Sequence, residues 1–123
     1  MKNTDKVFVY GTLKRGHANC RLMSEAKFLG VAKTTESVFV MLDGCCPAVV
    51  RAEGEPGIQI QGEVYEINAL TFARLDRLED HPHTYRRELI EIEGHGLCWV
   101  YLLGYSFAGM IGERVPNGRW EGW

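Results

Sequence analysis

The chain has 123 residues, 46% hydrophobic and 24% charged, with a formal net charge of −2 at pH 7. That describes one domain, residues 1–123, of ordinary size and with apolar mass enough for its own core. So small a net charge is not the basic footprint of a nucleic-acid or anionic-membrane binder, no apolar run approaches the roughly 20 residues of a membrane span, and MKNTDK has no apolar secretory segment behind it.

Along the chain, Lys6 to Tyr10 predicts a short strand, and Ala18 to Ala26 a short helix starting near His17 or Asn19. Phe28 to Thr34 and Ser37 to Leu42 are rich in β-branched residues and read as strands. Asp43-Gly44 is a turn signal before a strand at Ala48 to Arg51, and GEPG, Gly54 to Gly57, is another turn. Ile58 to Ile67 alternates until Gly62 shifts the phase, which predicts a bulge or bend there. Asn68 is a favoured N-cap for the helix NALTFARLDRLED, which Pro82 should stop near His81. Tyr85 to Ile92 and Leu97 to Tyr105 read as strands joined by the EGHG turn, followed by a glycine-rich tail, Ser106 to Trp123. About six or seven short strands with one or two helices predict an α+β domain with a strongly curled or barrel-like sheet.

The stretch VFVYGTLKRG, Val7 to Gly16, runs from a buried strand directly into a loop. Gly11 and Gly16 have the glycine spacing of a phosphate-binding P-loop, but that loop needs Lys and then Ser or Thr after its second glycine; His17 and Ala18 stand there instead. Two other readings stay open. One is a glycine turn that merely leaves the strand. The other is a backbone anion site, in which Gly11 lets a ligand approach and successive N–H groups point at a carboxylate or a developing oxyanion.

The helix carries a carboxylate in an apolar place. At about 100° per residue, Leu75 and Glu79 lie on the face of Phe72 with Leu78 beside them, whereas Arg74, Arg77 and Asp80 fall on the other side. Glu79 either escapes to solvent from a frayed last turn or faces the interior. Against escape, a Glu near a helix C-terminus opposes the macrodipole. Desolvation and that dipole both raise a carboxyl pKa, which suits a general acid/base near neutrality.

The remaining polar residues give weaker signals. His81 and His83 flank Pro82 and read as surface loop, since the sequence places no third ligand for a His-x-His metal pair. Tyr85 is either a core aromatic or a phenol supplied to a site, and Arg87 is expected to pair structurally with a carboxylate. His17 and Cys20 resemble a base and a thiol nucleophile, with nothing to complete the site. The four cysteines, Cys20, Cys45, Cys46 and Cys98, show no zinc or disulfide pattern and read as reduced thiols of a cytoplasmic protein, Cys98 as a small core residue.

Taken together, these motifs resemble the γ-glutamylcyclotransferase-like, or AIG2-like, superfamily, particularly its small branch that includes γ-glutamylamine cyclotransferase. VFVYGTLKRG looks like the family's opening signature. LDRLEDHPHTYRR carries its Asp76, Glu79, Pro82, Tyr85 and Arg87 pattern, QGEVYEI its central strand, and VPNGRW its tail, with Arg119 where an acidic residue is usual. The resemblance spans nearly the whole chain. It implies a compact α+β fold around a small closed-up mixed β-barrel. It implies that Tyr10, Gly11, Thr12 and Leu13 hold a γ-glutamyl group, that Tyr85 belongs to the same substrate site, and that Glu79 is the catalytic carboxylate. The implied reaction converts a γ-glutamyl amide to 5-oxoproline and a free amine, with no metal or cofactor. The competing readings are a small-molecule binding module that keeps the pocket without turnover, and a protein-interaction domain using the Trp-rich tail.

Overall fold

The structure is a computed structural model and describes residues 4–43, 47–104 and 112–121. Its strands are β1 (Thr4–Val9), β2 (Lys27–Lys33), β3 (Phe39–Asp43), β4 (Pro47–Arg51), β5 (Gln61–Asn68), β6 (Tyr85–Ile92), β7 (Gly96–Leu103) and β8 (Glu113–Arg114). Among the described residues one helix, α1 (Ala69–Leu78), follows β5 directly, and a single 3-10 turn spans Cys20–Met23.

Five strands form a mixed sheet in the order β2-β5-β1-β7-β6, parallel only where β1 meets β7 at Val7 and Trp99. The other three form the sheet β4-β3-β8. The larger sheet curls until its outer strands meet at one end. Thr34 and Ile92 bridge across the gap, the Thr35 N–H donates to the Glu91 carbonyl at 3.1 Å, and the Glu93 N–H donates to the Lys33 carbonyl at 3.0 Å. The result is an α+β domain around a curled, barrel-like mixed sheet.

The apolar run at the end of β1 is explained by cover on both faces. Phe8 and Tyr10 turn inward to pack with Val64, Val100 and Phe39. Val7 and Val9 turn outward, under Phe72 and Leu75 of α1. The helix starts as its sequence demands, with the Asn68 side-chain oxygen accepting from the Thr71 N–H at 2.8 Å.

Four expectations change. The helix over residues 18–26 shrinks to the 3-10 turn, because Asn19 caps nothing and instead spends its side-chain amide on Thr12 Oγ1 at 2.9 Å. The bulge lies at Phe28 to Gly30 on β2, not at Gly62. Gly62 answers a close approach, since a Cβ there would stand 2.3 Å from the Val9 carbonyl oxygen. Helix α1 ends at Leu78, before Pro82 can act, because Asp80 takes a left-handed φ of 53°. Strand β8 pairs with β3 inside what reads as a tail; its two polar residues carry no alternation to announce it.

Candidate active site

Beyond β1 the chain turns at once, the Lys14 N–H donating to the Gly11 carbonyl at 3.0 Å. Gly11 is required by space: a Cβ there would lie 2.7 Å from Cγ of Pro47, the first residue of β4. Asn19 holds the turn, with its N–H on the Thr12 carbonyl at 2.8 Å. Both cations of the loop point away from the space it encloses. Lys14 Nζ is buried against the Trp120 carbonyl at 2.6 Å. The Arg15 N–H donates to Glu63 Oε1 at 2.9 Å while its guanidinium lies 3.9 Å over the Phe28 ring. Neither lines the cavity, so the P-loop reading has no cation to offer a phosphate. Among the described residues, the N–H groups of Thr12 and Leu13 donate to no protein acceptor.

That space is a cavity of about 170 Å³. Tyr10, Gly11, Thr12 and Leu13 form one wall, Leu78 and Glu79 at the end of α1 another, and Tyr85 of β6 lies between them. All six residues singled out from the sequence therefore line one cavity. Sequence reasoning did not single out Asn19, Pro47 or Tyr101, which complete it. The only signal for Tyr101 is that Trp99 and Tyr101 share one side of β7 opposite Cys98, Val100 and Leu102, so both faces of that strand are covered.

Glu79 sits at the C-cap of α1 in helical geometry, with its N–H still on the Leu75 carbonyl at 2.9 Å. The residue as a whole is partly buried. Its carboxyl is desolvated, which raises its pKa from 4.5 to about 7. Two tyrosines commit their protons to backbone: Tyr10 Oη donates to the Tyr101 carbonyl at 2.7 Å, and Tyr85 Oη donates to the Pro47 carbonyl at 3.1 Å. Burial, followed by the proximity of Tyr85 and Glu79, pushes the Tyr10 pKa well above its ordinary value.

The carboxylate that Arg87 pairs with is Asp76, bonded at 2.9 Å and 3.3 Å by two guanidinium nitrogens. Tyr101 Oη donates to the same carboxylate at 2.6 Å. Desolvation opposes the Asp76 anion, but the bonds from Arg87 and Tyr101 outweigh it and lower its pKa.

The other candidates lie elsewhere. The His17 ring packs 5.1 Å from that of Trp120 and neither it nor Cys20 lines the cavity, which leaves the thiol-nucleophile reading without a site. Cys98 is buried in the core, while Cys45 and Cys46 fall outside the described residues. His81 is half-buried, with Nδ1 accepting from the Arg87 N–H at 3.3 Å, and His83 is exposed. Trp120 is buried in the core, so the tail's described tryptophan offers no docking surface; Arg119 beside it is exposed. A larger hollow of about 580 Å³ opens near β4 and the start of β6, but two of its arginines, Arg51 and Arg114, are already paired with Glu88 and Glu55, and neither Glu79 nor the Gly11 loop reaches it.

Comparison with known proteins points the same way. The family profile "Gamma-glutamyl cyclotransferase, AIG2-like" matches residues 7–122. A relative from Methanocaldococcus jannaschii is 42% identical over 120 residues, 94% of each chain. The "Gamma-glutamylaminecyclotransferase B" of Danio rerio is 36% identical over 94 residues, which cover 71% of this chain and 49% of that one. The crystal structure of an AIG2-like protein from Mus musculus superimposes with a TM-score of 0.80 at 27% identity, covering 98% of this chain and 90% of that one.

Proposed function

The chain belongs to the gamma-glutamyl cyclotransferase, AIG2-like family, and from that premise we propose that it cyclises a γ-glutamyl amide to 5-oxoproline, releasing a free amine, with Glu79 as the proton carrier. One observation carries this reading: a desolvated carboxyl with a pKa of about 7 shares a small cavity with a loop whose Thr12 and Leu13 N–H groups have no acceptor among the described residues. At about 170 Å³ the cavity is smaller than the roughly 300–1,000 Å³ of a drug-sized site. It suits a γ-glutamyl group better than a nucleotide.

The substrate carries its own nucleophile. Its α-nitrogen attacks the γ-carbonyl carbon, a new C–N bond closes the five-membered ring, and the γ-carbon to amine bond breaks. Held in the folded conformer, the reacting atoms gain the advantage of an intramolecular step. The α-ammonium loses two protons and the leaving nitrogen gains two, so no proton is consumed. Glu79 takes one from the attacking nitrogen and returns one to the departing amine; the second exchange passes through solvent. The Thr12 and Leu13 N–H groups stabilise the negative charge on the γ-oxygen of the tetrahedral intermediate. Nucleophile and electrophile belong to one molecule and no oxidation state changes, so the chemistry asks for no redox or group-carrying cofactor.

The test is incubation with a panel of γ-glutamyl amides of amino acids, of lysine side chains and of polyamines, with 5-oxoproline detected by mass spectrometry. Release from at least one amide supports the reading. Absence of 5-oxoproline across the panel, from folded protein, overturns it.

A further inference from the structure

Glu79 lies at the end of a helix, where the last turn lacks onward hydrogen bonds and tends to fray. A proton carrier there needs something to hold the turn still. One turn earlier on α1 stands Asp76. Facing it are Arg87 of β6 and Tyr101 of β7, which are directly paired across the two strands. Both bond the Asp76 carboxylate, through Arg87 Nε at 2.9 Å and Tyr101 Oη at 2.6 Å. The Arg87 guanidinium is stacked 4.1 Å from the Phe72 ring centre and 4.6 Å from that of Trp99. The Arg87 and Asp76 side chains are only 23% and 26% exposed, so this pair is more shielded than an ordinary surface ion pair. The helix end is thus fastened to the sheet immediately before Glu79.

Tyr101 also reaches the other wall. Its carbonyl accepts from Tyr10 Oη at 2.7 Å, and the residue lines the same cavity as the loop and Glu79. One residue therefore touches both halves of the site, its hydroxyl on the helix and its carbonyl on the loop.

We propose that Tyr101 is a positioning residue which, through Asp76 and the Arg87 that braces it, sets the Glu79 carboxyl against the loop from Tyr10 to Leu13. This rests on the cyclotransferase reading above. Its energetic content is geometric: a displacement of about 1 Å at a reacting group can cost about 100-fold in rate.

The experiment is a double-mutant cycle joined to hydrogen exchange. Tyr101→Phe keeps the ring and the carbonyl and removes only the hydroxyl bonded to Asp76. Asp76→Asn is the second variant, should the first fail to fold. Either is expected to lower kcat by about 10- to 100-fold with KM held within about twofold. Placed on Glu79→Gln, either is expected to cost nothing further, because its effect passes through Glu79. The same loss in both backgrounds, or no loss in the wild type, overturns the proposal. Exchange supplies a readout that needs no activity. In Tyr101→Phe the amides of Glu79 and His81, bonded to Leu75 and Asp76, should exchange faster while those of β5 do not change. If the wild type turns over no γ-glutamyl amide, the functional reading fails and exchange still decides the positioning: uniform or unchanged exchange sinks it.

Discussion

Lys14 and Trp120, 106 residues apart, are joined by a hydrogen bond of 2.6 Å from the buried ammonium to the tail's backbone carbonyl. Burial lowers the Lys14 pKa, and the contact ties the back of the Gly11 loop to the C-terminal segment. The tail is therefore part of the loop's support, with the Trp120 ring in the core and its Nε1 on Asp43 Oδ1 at 3.3 Å. Lys14→Met preserves length and apolar stem but removes the donor. It is expected to cost about 1–3 kcal/mol of stability and to raise KM for a γ-glutamyl amide more than it lowers kcat. Chemical denaturation and steady-state kinetics read the two effects; an unchanged KM would separate the tail from the loop.

Gly11 makes a sharper prediction. With Pro47 Cγ 2.7 Å from the position of an added Cβ, Gly11→Ala must push β4 or the loop aside. Loss of about 10-fold or more in ligand affinity is expected, on the scale of one misplaced contact wall. Gly94→Ala is the control: its φ of +76° makes it strained, at roughly 1 kcal/mol, but it has open space and lies in the turn joining β6 to β7. It should unfold earlier and bind normally. Calorimetric titration with 5-oxoproline checks both, and equal affinities would contradict the close-packing role of Gly11.

The raised pKa of Glu79 has a consequence for stability that needs no substrate. Below about pH 4.5 the carboxyl is protonated in both folded and unfolded chains, and contributes nothing. Between 4.5 and about 7 the unfolded chain releases a proton that the folded one keeps, so stability falls as pH rises. Above 7 the penalty is complete, with a ceiling of about 3 kcal/mol from about 1.4 kcal/mol per pKa unit. Glu79→Gln should accordingly raise Tm by several degrees at pH 8 and leave it nearly unchanged at pH 4.5. Equal shifts at both pH values would mean that the carboxyl is not desolvated.

What the sequence revealed follows from how local each feature is. Strand β6 is matched from Tyr85 to Ile92 because Pro82 and the EGHG turn bracket it. Glu79 stood out because a charge at an apolar helical position is a contradiction visible within one turn. The end of α1 was misplaced because Asp80, not a glycine, takes the left-handed conformation, held by Thr84 Oγ1 donating to its carboxylate at 2.8 Å. Tyr101 was missed for a different reason. Its partners, Asp76 and the Tyr10 hydroxyl, lie 25 and 91 residues away: the register of β6 on β7 sets Tyr101 opposite Arg87, and the packing of α1 on the sheet brings Asp76 to its hydroxyl. Periodicity reports which face a residue occupies; it does not report what stands opposite.

Glu79→Gln also separates an enzyme from a binding module built on the same pocket. The amide keeps the size of the carboxyl and most of its hydrogen-bonding capacity but cannot accept and return a proton near neutral pH. General acid/base groups contribute about 10²–10⁴-fold, so turnover of an accepted γ-glutamyl amide should fall by at least about that range. Affinity for 5-oxoproline should fall much less, because the donors on Thr12 and Leu13 are untouched. The wild-type pH profile adds an independent signature. With the carboxyl pKa near 7, kcat/KM should drop about tenfold per pH unit on the acid side of that value, and Glu79→Gln should lose that limb. A binding module gives the opposite pattern, with no turnover in the wild type and affinity set by the shape of the cavity alone. The paired measurement is 5-oxoproline release and calorimetric binding on both proteins. Near-wild-type turnover in Glu79→Gln, or a wild-type profile flat from pH 5 to 8, would remove Glu79 from the mechanism while leaving the family assignment in place.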